Sequence, residues 1–123
     1  MGCLMRAGLI IAGFSAALAI AGCTIDTVPM EPVNQQAQAA GGSPRLHFTR
    51  GMPWGVALIN MPDGEVLPGE FRVDETSISS AGGNFHAFGN GPRTRLVCLG
   101  TISAGHGSAE CRSQNGAVYR MTL

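Results

Sequence analysis

Hydrophobic and polar positions divide this chain into three stretches. Residues 7–21 (AGLIIAGFSAALAIA) are apolar almost without interruption and carry no charge. Residues 24–44 (TIDTVPMEPVNQQAQAAGGSP) show neither strand nor helix periodicity, and Pro29, Pro32 and Pro44 punctuate them. That composition predicts a flexible spacer, in which residues 34–40 form at most a transient helical turn. From Arg45 onward apolar and polar residues alternate, turn signals recur and helical periodicity is absent. This third stretch predicts short antiparallel strands.

Its elements can be placed from the turns. Leu46 and Phe48 alternate with His47 and Thr49 in an opening strand, which Gly51-Met52-Pro53-Trp54-Gly55 breaks. Residues 56–60 form a second strand, ended by Met61-Pro62-Asp63-Gly64. Pro suits the second position of a type I turn and Asp the third, and Gly64 supplies the positive φ that closes a bulged hairpin. The chain returns with Phe71 and Val73 inward and Arg72 and Asp74 outward. Residues 75–92 carry the weakest pattern: two Gly-rich loops around a short strand at 84–88. Next, Leu96, Cys98, Gly100 and Ile102 share one face against Val97, Leu99 and Thr101. A turn at Gly105-His106-Gly107 leads to Ala109, Cys111 and Ser113 on one face, with Glu110 and Arg112 on the other.

The last hairpin tests register. A two-residue Asn115-Gly116 turn pairs Cys111 with Arg120 and mixes apolar with charged residues on each face. A three-residue loop ending in a left-handed Gly116 pairs Ser113 with Ala117, Cys111 with Tyr119 and Ala109 with Met121. A one-residue slip moves every side chain to the other face, so the second register is expected. The fold class predicted is all-β: a small antiparallel meander of five to seven strands, closing as a barrel or sandwich. It follows a helical signal segment and a disordered tether, giving domains at 1–22, 23–44 and 45–123.

Charge narrows the partners. The chain carries eight basic and eight acidic residues, and every basic one is Arg. Such balance gives no field that would gather nucleic acid. A domain confined to 45–123 buries only roughly 60% of its unfolded surface and gains from a covalent staple.

The segment Ile20-Ala21-Gly22-Cys23, ending the apolar run, resembles the lipobox of bacterial lipoproteins. The resemblance implies cleavage between Gly22 and Cys23 and lipid on Cys23, anchoring the chain to a membrane. Residues 7–21 suit a signal-peptide core and fall short of the ~18–20 residues of a spanning helix. Met1-Gly2-Cys3 does not extend to a myristoylation motif, because Arg6 stands where that motif has Ser or Thr. Thr24 after the cysteine, rather than Asp, implies transport to the outer membrane, facing the periplasm. In that oxidising compartment Cys98 and Cys111 read as a disulfide; a metal or redox pair would need ligands or a C-x-x-C spacing that the sequence does not place nearby.

Candidate chemistry is sparse. His86 and His106 are the residues around which a metal-binding or enzymatic module would be built, yet no nucleophile, base and orienting group assemble around them. His106, between two glycines, reads as a hairpin-tip residue. Trp54 either caps a barrel end, the commoner use of such a residue, or forms an exposed recognition patch. Arg93 and Arg95 alternate on one face, within reach of Glu110, although a solvated face is the default reading of such a pair. Neither Gly89-Asn90-Gly91 nor Gly105-His106-Gly107 matches a phosphate-binding loop. Ser113 to Tyr119 (SQNGAVY) is similar to the Ser-x-x-Gly-x-x-Tyr segment of periplasmic lysozyme inhibitors, although the Lys-Gly segment of that family is missing; the similarity implies inhibition of a cell-wall hydrolase. The expectation is a non-enzymatic envelope lipoprotein without cofactor, binding peptidoglycan or an envelope protein through Trp54, His86 or His106.

Overall fold

The computed structural model describes residues 25–75, 83–104 and 106–123. Among these residues nine antiparallel strands form one sheet: β1 (Ile25–Pro29), β2 (Glu31–Pro32), β3 (Arg45–Thr49), β4 (Trp54–Asn60), β5 (Val66–Glu75), β6 (Gly83–Asn90), β7 (Arg95–Ser103), β8 (His106–Ser113) and β9 (Val118–Thr122). The spatial order is β1-β3-β4-β5-β6-β7-β8-β9-β2. Only Met30 separates β1 from β2, so the two edges of the sheet are consecutive pieces of one segment. The meander thereby curls into a nearly closed barrel, which covers almost all of its strand edges.

The seven strands from Arg45 onward follow the predicted meander. The segment before them does not behave as a spacer. β1 pairs with β3 from Ile25↔Thr49 to Pro29↔Arg45, and β2 pairs Glu31 with Arg120 and Pro32 with Tyr119. Val28 and Met30 alternate into the core, 5% and 0% exposed. The prolines hid this. Pro29 and Pro32 end the two short strand pieces, where a missing N–H interrupts little of the ladder. The chain then enters α1 (Gln35–Ala39), capped by Asn34, whose Oδ1 accepts from Ala37 N at 3.0 Å and from Val118 N at 3.1 Å. Its buried Ala37 helps close that end of the barrel.

Two of the three predicted turns form as expected, whereas His106 and Gly107, expected in the third, belong to β8. Gly64 adopts φ 97° and Gly116 φ 95°. The latter closes a three-residue loop in which Ser113 N donates to Ala117 O, so Cys111 faces Tyr119 and Ala109 faces Met121. Cys98 and Cys111 are register partners and are disulfide-bonded inside the barrel, both 0% exposed. Above them Phe48 meets Phe71 and Phe85 edge-on, with ring centroids 5.3 and 5.8 Å apart.

Candidate functional site

Two rows of side chains cross the outer wall of the barrel. In the first, Trp54 on β4 lies opposite Arg72 on β5, Arg72 opposite His86 on β6, and His86 opposite Leu99 on β7. In the second, Val56 lies opposite Glu70, Glu70 opposite Phe88, and Phe88 opposite Val97. All eight positions point away from the core, because their inward neighbours Phe71, Phe85, Ala87, Leu96 and Cys98 are buried. Trp54 is 66% exposed, Val56 74%, Val97 51% and Leu99 52%. Trp54 therefore does not cap the barrel. The indole lies on the outer wall, beside a groove of about 700 Å³ that Arg72, His86, Phe88 and Val97 help to line.

Of the three residues expected at a binding surface, Trp54 and His86 come together in this groove. His106 pairs with Ser103 at the β7–β8 hairpin and is not among the groove residues. Cys23 lies outside the described residues. Val56, Glu70, Arg72, Phe88, Val97 and Leu99 were not expected at the site. A signal for them exists in Leu96-Val97-Cys98-Leu99, an uninterrupted apolar run. Strands covered on both faces read that way, and strands with one solvated face alternate.

The most buried charge is structural. Glu65, its side chain 1% exposed, accepts from Arg93 N at 2.6 Å, Thr94 N at 2.9 Å and Thr94 Oγ1 at 2.7 Å. Burial pushes its carboxyl up, but these bonds and the Arg93 charge together outweigh that and hold it below its ordinary value of 4.5. Asp63 is held low by the Glu65 backbone N–H and by Arg93, which reaches it at 3.1 Å. Arg93 thus pairs with Asp63, and Glu110 pairs with Arg112 at 3.1 Å. Tyr119, within the segment similar to lysozyme inhibitors, is 1% exposed, and burial pushes its hydroxyl up. Ser113 Oγ of the same segment bonds Asn115 Oδ1 within the turn. Among the described residues no three His, Cys, Asp or Glu side chains gather as a metal site.

Fold and wall together define a small antiparallel β-barrel with an apolar interior and an outer wall across β4–β7 that mixes apolar with charged side chains. No family model, curated protein or solved structure matches the chain.

Proposed function

We propose that this chain is a non-enzymatic, lipid-anchored protein of the bacterial envelope whose barrel is a binding or structural module. The wall of β4–β7 is its docking surface, for an envelope protein or peptidoglycan. The observation that carries this reading is the cluster of exposed Trp54, Val56, Phe88, Val97 and Leu99 on a barrel whose core is already filled. Large apolar side chains gathered in the open on one wall mark interaction sites. The anchor rests on Ile20-Ala21-Gly22-Cys23, and Thr24 supports delivery to the outer membrane.

Crosslinking in intact cells tests the docking surface. The wild-type chain should give a discrete crosslinked species that Trp54→Ala loses, while the variant keeps its abundance, since the indole is not part of the core. Random neighbours alone, unchanged by Trp54→Ala, would overturn the reading.

A further inference from the structure

The two rows on the outer wall complement each other strand by strand. On β4 they offer Trp54 and Val56, both apolar. On β5 they offer Arg72 and Glu70, of opposite charge. On β6 they offer His86 and Phe88, an imidazole and a ring, and on β7 Leu99 and Val97, both apolar. The pattern continues on β8, where Leu99 lies opposite Glu110 and Val97 opposite Arg112. Turning the wall over about an axis across the strands lays each row onto the other. From this self-complementarity we propose that the occupant of the face is a second copy of the same chain, in an isologous dimer.

In that dimer Arg72 of each copy meets Glu70 of the other, giving two reciprocal ion pairs. Trp54 packs on the partner's Val56, and Leu99 on the partner's Val97. The partner's side chains enter the groove beside Trp54. Glu70 and Arg72 have no side-chain partner among the described residues, so neither must break an existing bond to pair across the interface. The alternative two-fold, running along the strands, sets Arg72 against His86 and Glu70 against Phe88, and forfeits the charge pairing. Two copies anchored in one membrane are related by an axis normal to it. The dimer axis runs across the strands, so the barrels lie with their strands along the bilayer.

The inference rests on reading this wall as a docking surface, and charge exchange on the full chain in detergent separates the two. Sedimentation should show a wild-type dimer with a Kd of about 10 μM or tighter. Glu70→Arg alone and Arg72→Glu alone each place like charges opposite one another and should weaken it at least about tenfold. The double variant should regain the wild-type affinity, and so should an equimolar mixture of the two single variants, which restores both pairs in a heterodimer. Both sites are exposed, so folding is retained, and circular dichroism checks this. A wild-type chain still monomeric at about 100 μM, or a double variant as weak as the singles, would overturn the proposal. A monomer that keeps a Trp54-dependent crosslink to another envelope component overturns the dimer and leaves the docking surface standing. Absence of both overturns both.

Discussion

Glu65 shows how much one carboxylate holds at the plugged end of the barrel. Its two oxygens join the β4–β5 hairpin to residues 93 and 94 through three donors. An amide in its place can still accept from both N–H groups through its one oxygen, but the bonds lose their charge assistance and Arg93 loses a counter-charge, so Glu65→Gln should lower the melting temperature by several degrees at pH 7. The pH dependence has a definite sign. The folded-state pKa lies below the ordinary 4.5, so the stabilisation is present above that value and drains away as pH falls through the folded one. Melting curves of wild type and Glu65→Gln should therefore converge as pH falls below the folded-state value. A gap that persists there would assign the effect to packing instead. At this scale the turn chemistry was legible, because Gly64 and Gly116 answer to local backbone rules. The Glu65 network was not, since its donors lie 28 and 29 residues away.

At the scale of elements, the sequence misleads where an element's stability comes from its neighbours. β1 and β2 carry prolines and no sustained alternation, and they exist because β3 and β9 offer edges to complete. The β7–β8 hairpin is the opposite case. Its alternation was local and put Cys98 and Cys111 on neighbouring strands, whereas its turn was expected at Gly105-His106-Gly107 and the strands instead meet at Ser103 and His106. The disulfide closes a loop spanning 13 positions, which contributes about 3 kcal/mol in the chain-entropy model. Replacing both cysteines by Ala should cost at least that, since the buried sulfurs also leave unfilled volume. Urea denaturation reads the loss as a lower midpoint. A loss under about 1 kcal/mol would mean that the barrel constrains this hairpin without the bond.

The whole molecule changes how the anchor would work. A spacer over residues 24–44 would hold the domain tens of ångströms from a bilayer. β1 begins at Ile25, so a lipidated Cys23 leaves Thr24 as the one residue between membrane and barrel. The outer face escaped the sequence for a different reason. Its rows run through β6, and residues 75–92 carried too weak a pattern to place that strand against β5 and β7. Protease treatment of membranes distinguishes the two geometries. A long spacer offers an extended chain that a broad-specificity protease cuts, releasing a soluble domain that begins between residues 30 and 45. With that stretch locked into β1, β2 and α1, local opening must precede cleavage, and the barrel should stay with the membrane fraction. Cys23→Ala should shift the same protease-resistant barrel to the soluble fraction, or leave it as an uncleaved precursor. Rapid release of the wild-type domain by a cut between residues 30 and 45 would overturn the tight attachment. Mature-size Cys23→Ala protein retained on membranes would overturn the anchor itself.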